Sequence, residues 1–227
     1  MVKCFRPLCM VAATLASLCF APMVAANGGH FMVDDAAIAP PRTCQLETWV
    51  TRQSPETTMT LNPACNITGG SEWSIPIEYD TVNSETRAMG LEYKTVLFHP
   101  NRGPAIAVSG GAMYQRAESA VRDVYLNVPV SWQIIDPLTL HLNGGVMHDR
   151  ALDDTYATWG LAGTLKTISG PVLIAEYTDN DRYDPTYGLG ARFTIGSTRW
   201  TLDMGVARDT HLEETAYTLG INIPRLF

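Results

Sequence analysis

The sequence predicts an all-β fold: an antiparallel up-and-down transmembrane β-barrel of about twelve strands, with ten as the alternative count. Three observations predict it. Large apolar residues alternate with small or polar ones through most of the chain after residue 43, the period of a strand with two different environments. Charges inside the alternating stretches share the face opposite the apolar one. Aromatic residues on the apolar face gather near strand ends. Composition sets the bounds: 46% of the 227 residues are hydrophobic and 17% charged, against about a quarter charged in soluble domains. Beyond residue 26 no apolar run approaches the roughly 20 residues of a spanning helix. A multi-pass helical protein is therefore excluded. The formal charge of −7 argues against nucleic-acid binding, because phosphate repels an acidic chain.

Residues 1–26 read as a secretory signal peptide. Lys3 and Arg6 supply a positive start, Leu8 to Phe20 an apolar run, and Val24-Ala25-Ala26 the small residues of a cleavage site. Leu18 before Cys19 does not fit a lipobox. Cleavage removes two bases and no acids, so the remaining charge is 14 − 23 = −9. Residues 27–43 are expected to form an N-terminal periplasmic segment, and 44–227 the barrel. Cleavage also leaves two cysteines, Cys44 and Cys65. An even pair in an exported chain suggests a disulfide. If 44–53 and 57–67 form a hairpin turning at Ser54-Pro55, paired positions sum to 109 and the two cysteines face each other, at a separation that suits the bond.

After that hairpin, strands are expected near 72–81, 87–97, 105–115, 121–133, 138–148, 155–167 and 171–178. Three more follow, near 186–195, 199–207 and 214–223. The late ones show the pattern best. Tyr187, Leu189, Ala191, Phe193 and Ile195 oppose Gly188, Gly190, Arg192 and Thr194. Residues 200–206 place large apolar residues at even positions. In 217–223, Tyr217, Leu219, Ile221 and Ile223 oppose Thr218, Gly220 and Asn222. Pro76 and Pro129 fall inside strands, where a bulge is expected to absorb the missing N–H. The connections alternate in kind. Gly69-Gly70, His99 to Pro104, Asp136-Pro137, Ser169-Gly170 and Gly196-Ser197 are expected as short turns. Asn83 to Thr86, Gln115 to Ser119, His148 to Asp154, Thr178 to Pro185 and Arg208 to Glu214 are expected as longer polar loops at the other end.

On this map Trp73, Trp132 and Trp200 fall at the short-turn end of the apolar face. Tyr79, Tyr114, Tyr177, Tyr187 and Tyr217 fall at the loop end. Two aromatic girdles at two membrane boundaries have this arrangement. Tyr93 and Trp159 lie deeper. Glu78, Glu92, Lys94, Asp123, His141, Glu176, Arg192 and Asp203 take the opposite face and are expected in the lumen, since charge facing mid-bilayer lipid costs about 2–4 kcal/mol for Arg or Lys. Arg87 and Arg122 have the outer parity at the loop end, where they can snorkel.

With signal peptide, alternation, girdles and an even strand number in place, the chain resembles a Gram-negative outer-membrane β-barrel. The ending Tyr217-Thr-Leu-Gly-Ile-Asn-Ile-Pro-Arg-Leu-Phe227 is the most specific feature. The resemblance implies that Thr218, Gly220, Ile223 and Phe227 form part of the signal read by the barrel-assembly machinery, with Pro224 and Arg225 departing from it. It also implies contact with outer-membrane lipid and lipopolysaccharide. It brings no catalytic residue, cofactor or metal, and the sequence does not set the oligomeric state.

Candidate chemistry is sparse. His141 points inward with no serine placed beside it by sequence, and His148 near Asp149 reads as a solvated loop residue. Asp179-Asn180-Asp181-Arg182-Tyr183-Asp184 lacks the glycine turn and distal glutamate of a calcium loop. His30 in Asn27-Gly28-Gly29-His30 would suit an amino-terminal copper site only if cleavage fell one residue later. Catalysis is thus the third reading, as a lipid-modifying enzyme. A narrow polar, porin-like channel comes first, because twelve strands lie between filled small barrels and open porins. A sealed structural or interaction barrel comes second. Glu78, Glu92, Asp123, Glu176 and Asp203 outnumber Lys94 and Arg192, so any pore is expected to prefer cations, with Glu92 and Asp203 contributing.

Overall fold

The computed structural model describes residues 30–226. The signal peptide, Asn27 to Gly29 and Phe227 lie outside the described residues. Thirteen strands run β1 (Thr43–Gln53), β2 (Glu56–Asn66), β3 (Ser71–Ser74), β4 (Ile77–Asp80), β5 (Glu85–Phe98), β6 (Ala105–Gln115) and β7 (Ala120–Ile135). Then come β8 (Leu138–Asp149), β9 (Asp154–Lys166), β10 (Val172–Asn180), β11 (Thr186–Thr194), β12 (Thr201–Asp209) and β13 (Glu214–Ile223). β3 and β4 are halves of one wall strand, so the wall has twelve. Each strand pairs antiparallel with its neighbours, and β1 closes on β13 from Leu46 opposite Ile223 to Gln53 opposite Ala216. The fold is an all-β, closed, up-and-down barrel.

The first hairpin has the register that the cysteine spacing predicts. Thr43 faces Asn66, Gln53 faces Glu56, and Cys44 and Cys65 are opposite and bonded, with Cα atoms 4.1 Å apart. The alternation of faces also sorts the wall. Leu91, Leu126, Leu142, Leu161, Leu189 and Leu219 are exposed on the outside, where lipid would cover them. Polar residues such as Thr60, Ser109, Thr164 and Asp203 are buried inside.

Two expectations about the wall change. Neither Pro76 nor Pro129 sits in a bulge. On both sides of Pro76 the β2 pairings keep one register, with Ala64 facing Ser74 and Leu61 facing Ile77. Ser74–Glu92 and Ile77–Met89 likewise keep one register against β5. Pro129 faces Asn143 in a stretch of the β7–β8 ladder, Asp123 to Gln133, that keeps one register, while the β6–β7 ladder skips from Ile106–Val130 to Ser109–Asn127 in constant register. A proline removes one donor, and here the ladder leaves a gap without inserting a residue. Pro76 still accepts from Gly90 N–H at 2.8 Å. The bulges lie elsewhere, at Glu78/Tyr79, Val96/Phe98, Met113/Tyr114 and Gln133/Ile135.

The second change concerns the connections: the two ends do not differ in length as expected. At the polar end the links are 54–55, 81–84, 116–119, 150–153, 181–185 and 210–213; at the other end they are 67–70, 99–104, 136–137, 167–171 and 195–200. The ladders continue beyond the hydrophobic alternation and consume the supposed loops. Four of the polar links are tight four-residue hairpins whose last residue, Ser84, Ser119, Asp153 or Glu213, is left-handed with φ of 51–56°. In three of them the preceding aspartate caps the turn. Asp80 Oδ1 accepts from Val82 and Asn83 N–H, Asp149 Oδ1 from Ala151 and Leu152, and Asp209 Oδ1 from Leu212, all at 2.8–3.2 Å. These are Asx turns, in which a side chain supplies an acceptor that the bent backbone lacks.

Residues 30–42 depart furthest from expectation. They were expected as a periplasmic segment and instead run inside the barrel. Arg42 N–H bonds Asn66 C=O at the short-turn mouth. From there the segment rises along the inner wall to about mid-height and crosses toward β10–β13.

Candidate functional site: the lumen and its internal segment

The segment has no regular structure, so its buried N–H and C=O groups must find partners in the wall. They do. Glu176 of β10 accepts from two successive amides, Met32 N–H to Oε2 at 3.2 Å and Val33 N–H to Oε1 at 3.1 Å. Asn143 of β8 accepts from Asp34 N–H at 2.9 Å and donates to Asp34 C=O at 2.7 Å. Ser131 Oγ accepts from Ala36 N–H at 2.8 Å, and Glu72 Oε2 from Ala39 N–H at 2.7 Å. Asn66 donates to Ala39 C=O at 2.7 Å.

Side chains add to the backbone contacts. Lys94 Nζ lies 2.7 Å from Asp34 Oδ1 and 3.4 Å from Asp35 Oδ1. The Arg192 guanidinium stands 5.4 Å above the Phe31 ring, a cation–π distance. Glycines recess the wall beneath the crossing. A Cβ on Gly160 would lie 3.0 Å from Val33, on Gly188 2.8 Å from Met32, on Gly190 2.5 Å from Phe31 and on Gly205 2.4 Å from His30.

Beside the segment lies a cavity of about 670 Å³ that reaches from the polar mouth down to Gln45, Ala64 and Glu72 near the short-turn ends of β1, β2 and β3. Phe31, Met32, Asp34 and Ala37 of the segment line one side of it. Glu47, Glu78, Glu92, Trp49, Tyr125 and Tyr156 stand in its walls, and Asp179, Asn180 and Asp184 at its upper edge. Glu92 accepts from Ser74 at 2.9 Å and from the Tyr125 hydroxyl at 2.9 Å.

The residues expected in the lumen are placed as follows. Glu78, Glu92 and Lys94 line the cavity. Glu176 clamps the segment. Asp123 sits near the rim, 3.9 Å from Arg122. Arg192 and Asp203 form a two-pronged pair, Nε to Oδ1 at 2.7 Å and Nη2 to Oδ2 at 2.6 Å, with Asn222 also donating to Asp203. Asp203 is 0% exposed and Arg192 7%, and neither lines the cavity. His141 lies opposite Ser131 in the β7–β8 ladder and hydrogen-bonds it through Nδ1 at 2.8 Å. This corrects the expectation that no serine stands beside it. The pair is buried and does not line the cavity, and its Ser131 Oγ accepts from Ala36 N–H of the segment.

The girdle residues Trp73, Tyr79, Tyr114, Trp132, Tyr187, Trp200 and Tyr217 are exposed, and Tyr177 is half-buried against Tyr187 with ring centres 5.4 Å apart. Trp200 lies just before β12. Arg87 pairs with Glu56, and Arg122 with Glu118 and Asp149. Arg182 pairs with Asp154. At the end of β10 and in the link after it, Asp179 accepts from Tyr177 and Asn180, and Asp181 from Ala157. Gly220 lies beside Trp49, a Cβ there meeting Trp49 Cβ at 3.2 Å. Sequence reasoning missed Glu47 and Glu72, both buried inside. Glu72 shares the parity of Glu78, which is the signal that would have found it.

Residues 15–224 match the family described as Uncharacterised conserved protein UCP029691. The chain belongs to that family. Comparison with curated proteins gives no match. Among solved structures, this family member is similar to the KdgM porin in complex with disordered oligogalacturonate, at TM-score 0.64 and 12% identity over 79% of this chain and 98% of that one. It is similar to the NanC porin at TM-score 0.61 and 11% identity, with the same coverage. It is also similar to the Acinetobacter baumannii outer membrane protein Omp33, at TM-score 0.50 and 10% identity over 82% and 98%. The fold is that of the outer-membrane porin barrels.

Proposed function

We propose that the protein is a narrow porin-like channel of the Gram-negative outer membrane whose lumen favours small cationic solutes. The observation that carries this reading is the cavity running from the polar mouth past the segment toward the short-turn end, with Glu72, Glu78 and Glu92 in its walls and Lys94, tied to Asp34 and Asp35, as the lysine that lines it. Carboxylates lining a confined aqueous path concentrate cations. Outer-membrane lipid then covers the apolar face, lipopolysaccharide meets the charged rim, and β13 presents Tyr217, Leu219 and Ile221 outward for the barrel-assembly machinery.

Planar-bilayer recording on purified protein tests the reading. A small cation-selective conductance is expected, with selectivity lowered by Glu92→Gln and Glu78→Gln. Replacing both partners, Arg192→Met with Asp203→Leu, is expected to leave selectivity unchanged, because the pair is charge-compensated and does not line the cavity. Anion preference would overturn the proposal. Residues 31–37 across the lumen favour a second reading, a sealed interaction barrel. Absence of conductance in the intact protein would establish it over the first.

A further inference from the structure

We propose that the inner wall is a binding groove for an extended acidic peptide, filled in cis by residues 31–39 and able to take such a peptide in trans. The contacts read peptide backbone. Glu176 spans two successive N–H groups, and Asn143 closes a ring with the N–H and C=O of one residue. A water-filled pore needs no acceptors at peptide spacing. The acidic requirement comes from Lys94, whose ammonium meets carboxylates from two consecutive residues. The recess comes from Gly188, Gly190 and Gly205, where any Cβ would strike the segment.

The occupant is separable from the wall. It contributes no strand to the barrel, whose ladders close from β1 to β13 without it. It joins β1 through exposed residues at positions 41 and 42. The barrel supplies the recognising groups, and the segment supplies a ligand on a tether.

The test uses the full chain with a protease recognition sequence inserted between Pro41 and Arg42, cut after folding. The probe is a fluorescent synthetic peptide with the sequence of residues 30–39. After cutting, saturable uptake is expected, competed by unlabelled peptide and absent from uncut protein. A peptide carrying Asp34→Asn and Asp35→Asn is expected to bind at least tenfold more weakly. A cut segment that stays in place against excess peptide would overturn the proposal, as would equal binding of the Asn peptide. A chain lacking residues 30–39, used once heat-modifiable migration shows a folded barrel, should bind the same peptide. A folded truncation that does not bind it would also overturn the proposal.

Discussion

Lys94 and Asp34 are sixty positions apart in the chain, and their charged atoms meet at 2.7 Å inside the barrel. The lysine is on the wall, the aspartate on the internal segment. Lys94→Met leaves Asp34 without this cation. Hydrogen bonds to charged groups contribute about 1.5–3 kcal/mol, so the undocked fraction of the segment should rise roughly ten- to a hundredfold. Maleimide labelling of Ala36→Cys, at a position 1% exposed in the docked segment, reads this directly. Labelling at the unaltered rate would show that the segment is held without the ion pair, and Lys94→Arg should restore slow labelling.

Gly205 separates segment from wall. The atoms nearest a Cβ there all belong to the His30 ring, beginning at 2.4 Å. Gly205→Val should displace His30 at about 1–3 kcal/mol and speed labelling of Val33→Cys, a position 1% exposed in the docked segment, with the urea midpoint of the barrel unchanged. Gly145→Ala is the contrast. Its Cβ would stand 2.4 Å from the backbone oxygen of Leu126, so that substitution should lower the midpoint itself.

Arg192 and Asp203 test the wall. Removing one partner of a buried pair costs about 3–5 kcal/mol, and replacing both with apolar residues far less. Arg192→Met should therefore lower the urea midpoint strongly, and Arg192→Met with Asp203→Leu should recover most of it. A double variant as unstable as the single one would show that the pair contributes more than charge compensation.

Cys44–Cys65 closes the first hairpin across a separation of 21 residues. Such loops are stabilised by about 3 kcal/mol, and reduction should lower the midpoint accordingly. Thiol labelling of denatured, unreduced protein should find neither cysteine free.

The wall was legible in the sequence because a period of two fixes face and register together. One cysteine spacing gave the β1–β2 pairing, and the same alternation put Arg192 and Asp203 on neighbouring strands facing inward. Parity names a face, however, and does not say what stands across it. That Lys94 meets Asp34, or that Glu176 clamps Met32 and Val33, depends on a segment with no periodicity of its own. Ser131 escaped notice beside His141 because the β7–β8 register is set by a bulge at Gln133/Ile135. At the polar end β8 and β12 run past the limits of their apolar alternation, because the aspartates Asp149 and Asp209, rather than apolar residues, finish them.

Those caps have a further consequence. A rim made mostly of four-residue hairpins rises little above the strand ends, and among the described residues no arm folds across its upper opening. A membrane surface rich in long carbohydrate would overtop it. Bulky agents that grip protruding features find little purchase on such a profile, while molecules small enough to thread between headgroups reach the carboxylates of Glu78 and Glu92 without waiting for anything to move aside.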